Sequence, residues 1–130
     1  MSEKIVKNWI ELADYDLETA GHMLRTGRYL YVAFTCQQAI EKLLKANYAA
    51  KLEKTPPYTH NLIRLLEETG LSSQFDEKSV NFLMRLNSYY IETRYAEQIS
   101  ELSALLTEQV CSEIYNRTLE IFSCLKKMIR

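Results

Sequence analysis

Glycine and proline are scarce in this chain of 130 residues, with three Gly and two Pro. An all-β domain needs such residues at its many turns, so their scarcity argues against one and leaves helices as the expected elements. The glycines, Gly21, Gly27 and Gly70, stand apart from one another, which excludes a glycine-rich loop that cradles phosphate. Histidine is limited to His22 and His60, and neither lies in a His-Glu-x-x-His sequence or in a known nucleophile motif. The cysteines, Cys36, Cys111 and Cys124, are odd in number and widely spaced, with no Cys-x-x-Cys pair. They are expected to be reduced thiols in or near the core of a cytoplasmic protein, and no metal or cofactor is expected. No apolar run reaches the roughly 18 residues of a membrane-spanning helix. The opening Met-Ser-Glu-Lys-Ile-Val-Lys-Asn-Trp also lacks an apolar stretch of signal-peptide length, so no membrane partner is expected.

Net charge is scarce as well. A formal charge of −1 and a pI of about 6.1 give no global field that would gather nucleic acid. The local distribution is uneven. Lys42, Lys45, Lys51, Lys54 and Arg64 face only Glu41 and Glu53 in their stretch, whereas Glu92, Glu97, Glu101, Glu108 and Glu113 surround a single Arg94. The first stretch is compatible with a small anion site.

What the chain has in abundance is helical periodicity. Ile5, Trp9, Leu12, Ala13, Leu17, Ala20 and Leu24 recur at steps of three or four, predicting a first helix from about Glu3 to Arg25, with Ser2 as N-cap and Gly27 as terminator. From Tyr29 to about Leu52, Ala33, Cys36, Ile40, Leu43 and Ala50 form one stripe, widened by Phe34, Ala39, Leu44 and Tyr48. So broad a stripe predicts a central helix with several neighbours. Pro56 and Pro57 then block continuation. Thr59 is expected to cap a short third helix ending at Gly70, a fourth begins near Asp76, and a fifth runs from about Thr107. Residues 93–106 are the hardest to assign. The expected architecture is all-α: an up-and-down bundle of about five helices forming one domain over residues 1–130. The alternative is a helical hairpin completed by a partner.

Gln38, Glu41, Lys42 and Lys45 share a polar face on the second helix. It is either solvated, with a Glu41 to Lys45 pair, or part of a site. Phe34-Thr35-Cys36-Gln37-Gln38-Ala39-Ile40-Glu41-Lys42-Leu43-Leu44-Lys45-Ala46 is followed by Tyr58-Thr59-His60-Asn61-Leu62, then by Tyr89-Tyr90 and Thr93-Arg94-Tyr95. In that order and spacing the chain resembles the HEPN family over roughly Ala13 to Tyr95. The resemblance implies a helical bundle, commonly homodimeric and often encoded beside a minimal nucleotidyltransferase as a toxin and antitoxin pair. Some branches are metal-independent ribonucleases marked by an Arg, four to six residues, then a His. No such pair occurs here, because His22 precedes every Arg and His60 lies far beyond Arg28. The sequence is closer to the branch with Arg-Tyr-Pro, Ala96 standing in place of the proline.

No catalytic residue is therefore assigned. The expected function is a non-catalytic partner of a nucleotidyltransferase that binds a nucleotide or RNA phosphate. The candidate ligand residues are Arg94, Tyr95, Tyr90, Lys45, Lys42, Gln38 and His60. Arg94 either binds phosphate with Tyr90 and Tyr95 beside it or pairs with Glu97. His60 either presents its imidazole to a ligand or fixes the loop to the helix end. The alternatives are a ribonuclease toxin with an altered site centred on Arg94 and Tyr95, and a structural dimerisation module. From the missing Arg-to-His spacing, the purified protein is expected to leave RNA intact at the level of a buffer control in a gel assay. Cleavage that disappears on Arg94→Ala while the fold persists would reverse that expectation.

Overall fold

The broad stripe on the second predicted helix becomes the axis of the molecule. In the computed structural model, which describes residues 3–95 and 99–129, α1 spans Glu3–Arg25 and α2 spans Tyr29–Leu52. They are followed by α3 (Leu62–Glu68), a single 3-10 turn (Ser72–Gln74), α4 (Glu77–Thr93), α5 (Ile99–Leu105) and α6 (Glu108–Lys127). The architecture is all-helical, with no strand among the described residues. Among the described residues six α-helices replace the expected five, because α5 lies in the segment whose pattern is hardest to read. Its single buried side chain, Leu102, is too little apolar signal to announce a helix.

α2 packs against α1, α3, α4, α5 and α6. Val32, Ala33, Cys36, Ala39, Ile40, Leu43, Leu44, Ala46 and Ala49 are all fully buried along it, which is why its apolar positions follow no narrow stripe. Ala13 and Ala20 of α1 and Ala33 and Ala39 of α2 are all fully buried in the core, small side chains of the kind that let packed helix backbones approach closely. The buried row of α1 is Val6, Ala13 and Ala20, with Ile10, Leu17 and Leu24 packed beside it. Ile5 and Leu12 were expected in that stripe but stay exposed, one helical step of about 100° away from it.

Local chemistry sets the helix ends. Gly27 (φ +76°) and Gly70 (φ +74°) hold left-handed conformations after α1 and α3. Glu53 (φ +52°) ends α2 in the same region ahead of Pro56 and Pro57. Asp76 caps α4 by accepting from the Ser79 N–H, and the Ser79 hydroxyl together with that N–H holds its carboxyl below the usual carboxylate range. Thr107 caps α6. The cap of α3 corrects the sequence reading: Asn61, not Thr59, accepts from the Ile63 and Arg64 N–H groups. The Thr59 hydroxyl instead accepts from the Asn61 N–H, a turn that places the carboxamide over the helix. Ser2, Ala96 and Glu97, named above, lie outside the described residues.

Cys36 and Cys111 are buried and free, as expected, but Cys124 is exposed on the outer face of α6. Burial pushes the Cys36 thiol up to about 12 and Cys111 up to about 11. Both stay protonated at neutral pH and lack nucleophilic thiolate. Treatment of the native protein with a thiol-reactive disulfide reagent at pH 8 is therefore expected to modify Cys124 rapidly. Cys36 and Cys111 should react only after denaturation, so prompt release of three equivalents from native protein would contradict this core.

Candidate functional site

At 3.6 residues per turn, positions 37, 41 and 45 stack in one row of α2. The row is polar, yet Gln37 is fully buried, Glu41 is 3% exposed and Lys45 7%. Of the polar face read from sequence, Glu41 and Lys45 are thus roofed, by the segment after Pro57 and by Trp9 of α1, which removes the solvated alternative for them. Each group answers to Glu41. Its Oε2 accepts from Lys45 Nζ at 3.1 Å, and its Oε1 accepts from His60 Nδ1 at 2.9 Å and Gln37 Nε2 at 3.3 Å. Gln37 Nε2 also donates to the His60 carbonyl at 2.8 Å, and Gln38 Nε2 donates to Gln37 Oε1 at 2.7 Å. Lys45 is held from its other side by the Trp9 ring of α1, 5.6 Å from the ammonium.

His60 is thereby fixed through both backbone and ring. A carboxylate only accepts, so Nδ1 carries the proton and Nε2 is the nitrogen left for other partners. The imidazole packs on Tyr90 at 4.9 Å between centroids, Tyr90 stacks on Phe34 at 5.2 Å, and Tyr58 meets the other side of His60 at 5.8 Å. Arg94, at the C-cap of α4, lays its guanidinium 5.5 Å from the Tyr90 ring centre. Burial pushes the Tyr90 phenol up, with Arg94 pulling the other way.

His60, Asn61, Asn87, Tyr90, Ile91 and Arg94 line a cleft of about 240 Å³. Of the residues proposed from sequence, His60, Tyr90 and Arg94 meet there, and exposed Tyr95 follows Arg94 in the chain. The other three do not line it. Lys45 is committed to Glu41, Lys42 forms an ion pair with Asp16 of α1, and Gln38 is bonded to Gln37. A phosphate seated on the start of α3 is also excluded, because the Asn61, Leu62, Ile63 and Arg64 N–H groups are all taken by Thr59, Asn87 and Asn61 side chains. Gln37, Asn61 and Asn87 are the site residues that sequence reasoning did not name. Gln37 was within reach, being one turn before Glu41; Asn87 was not, because nothing in its own helix marks it.

Among the described residues no group of His, Cys, Asp and Glu could hold a metal ion, and no helix is long and apolar enough to cross a membrane. The class defined by these features is an all-helical bundle with a buried carboxylate clamp on its central helix and an arginine-rimmed cleft beside it. The HEPN domain profile matches residues 6–128, and the chain belongs to the HEPN domain family. The fold is also that of TT1696 from Thermus thermophilus, whose crystal structure superposes with a TM-score of 0.80 at 23% identity, covering 95% of this chain and 98% of that one. No curated protein sequence matches the chain.

The clamp makes a stability prediction. Removing one partner of a buried ion pair strands the other, at a cost of about 3–5 kcal/mol. Glu41→Ala is expected to lose that much in urea unfolding, and Lys45→Met added to it should recover part of the loss by removing the stranded ammonium. A single-variant cost below about 1 kcal/mol would mean that Lys45 and His60 find other partners.

Proposed function

We propose that this HEPN-family protein is a non-catalytic partner of a minimal nucleotidyltransferase in a toxin–antitoxin type of system, and that it binds a nucleotide or RNA phosphate at the Arg94 cleft. Arg94 carries the binding part of the reading. The residue is exposed, its guanidinium is backed by the buried Tyr90 ring, and it has no carboxylate partner among the described residues. A planar guanidinium held against a ring matches the oxygens of phosphate. His60 supplies an imidazole at the same cleft.

The missing Arg-to-His spacing supports the non-catalytic part, and the Thr93-Arg94-Tyr95 likeness to the Arg-Tyr-Pro branch supports the nucleotidyltransferase partner. Homodimerisation belongs to the same proposal. It is supported by the exposed Leu12 and Tyr15 on the outer face of α1, apolar surface that a second copy would cover.

Two measurements test the reading. The adjacent gene is expected to encode a minimal nucleotidyltransferase, which the tagged protein should carry through affinity and size-exclusion chromatography on co-expression; no such adjacent gene, or elution without its product, contradicts the partnership. In calorimetric titration with AMP, Arg94→Ala is expected to weaken binding by about 10- to 150-fold, the equivalent of one charge-assisted contact of roughly 1.5–3 kcal/mol. Equal affinity in the variant would move the site elsewhere.

A further inference from the structure

The way α3 is capped gives the cleft a rim rich in hydrogen-bond donors. The Leu62 N–H donates to Asn87 Oδ1 at 3.0 Å, while the Ile63 and Arg64 N–H groups donate to Asn61 Oδ1 at 3.0 and 3.3 Å. Asn87 Nδ2 adds a further bond to Asn61 Oδ1 at 3.0 Å. Backbone N–H groups can only donate, so the helix itself dictates which end of each carboxamide is oxygen. Asn61 Oδ1, with three donors, is thereby consumed, and Asn87 Oδ1 is engaged through one of its two lone pairs. What the two side chains mainly have left are N–H groups: both of Asn61 Nδ2 and the second of Asn87 Nδ2, none with an acceptor among the described residues. Arg94 adds a guanidinium, which also only donates, and no carboxylate lines the cleft.

His60 Nε2 is the acceptor left among these donors, so the rim favours a group rich in acceptors and in negative charge. The pairing edge of every nucleobase carries at least one N–H, and most of this rim would meet it with another donor. A phosphate presents three strong acceptor oxygens and negative charge, suited to donors arriving from Asn61, Asn87 and Arg94. At about 240 Å³ the cleft is smaller than the roughly 300–1,000 Å³ of pockets that enclose a whole small molecule. It takes one end of a ligand. Beside it, the Tyr58 ring is 95% exposed and sits 5.8 Å from the His60 ring, a free face for stacking.

We infer that the cleft binds the terminal phosphate of a nucleotide through Asn61 Nδ2, Asn87 Nδ2 and Arg94, with the attached base outside the cleft on Tyr58. The inference rests on the nucleotide-binding reading above and specifies which part of the nucleotide is held. The shared chemistry, a phosphorylated nucleotide end, has two sources, a free mononucleotide or the end of an RNA strand.

Calorimetric titration with AMP, adenosine, inorganic phosphate and a tetranucleotide with and without a 5′-phosphate tests it. AMP should bind, inorganic phosphate more weakly and adenosine not at all, and the tetranucleotide should need its phosphate. A tighter phosphorylated tetranucleotide than AMP identifies RNA ends as the source, and the reverse identifies free nucleotides. Asn87→Asp keeps an oxygen for the Leu62 N–H but replaces a donor with negative charge, and should weaken AMP at least tenfold with the circular dichroism spectrum unchanged. Should that variant not fold, exposed Arg94→Gln serves for the same comparison. Tyr58→Ala should bring AMP down to the level of inorganic phosphate while leaving inorganic phosphate unaffected. Adenosine binding as tightly as AMP, or AMP affinity unchanged in both Asn87→Asp and Arg94→Gln, overturns the phosphate assignment while nucleotide binding stands. No heat from any probe overturns both.

Discussion

Glu41 is a carboxylate almost wholly removed from water on the central helix, and the protein has to neutralise and hydrogen-bond it. Lys45 does so from one turn along the same helix, but a helix cannot supply every partner from its own length. The remaining donors are the His60 ring and the Gln37 amide, and Gln37 also grips the His60 carbonyl. Satisfying one buried charge therefore ties down a loop that two prolines and an exposed tyrosine would otherwise leave weakly held. With His60 in place, Asn61 falls at the start of α3 and Asn87 of α4 reaches it, so the clamp on α2 also sets the walls of the cleft.

The aromatic column extends the same constraint outward. Phe34 of α2 supports Tyr90 of α4, and Tyr90 supports both His60 and Arg94. Arg94 thus sits on a ring whose position is set by the core rather than by the surface. An arginine on such a support loses less side-chain freedom when it binds an anion than one on a mobile stem. The positive groups that looked most promising by local charge density are used differently. Lys45 and Lys42 hold α2 to its own carboxylate and to α1, which makes them parts of the fold.

Much of the architecture was legible because α1, α4 and α6 each bury a clear face and because glycines and caps stand where helices end. Gly27, Gly70, Asp76 and Thr107 all act as their residue types predict. α5 was not legible, since a helix that buries one leucine leaves no periodic trace. The site was only half legible. Arg94, Tyr90 and His60 could be named from a family likeness, but the polar face of α2 reads in sequence equally as a solvated face or as a site, and burial by a distant loop leaves no mark on it. Asn87 shows the limit most clearly: its partners are 25 and 26 residues away, and nothing local distinguishes it from any other surface amide.

The central claim is that Glu41 holds the segment that forms the cleft, and residue-resolved hydrogen exchange on Glu41→Gln tests it most directly. This change keeps the side chain's shape while removing its charge and one of its acceptors. The amides of Asn61, Leu62, Ile63 and Arg64, all bonded to side chains of the capping network, should then exchange faster while those of α1 and α6 keep their protection. Unchanged exchange in that segment, or an equal acceleration throughout the molecule, would contradict the account.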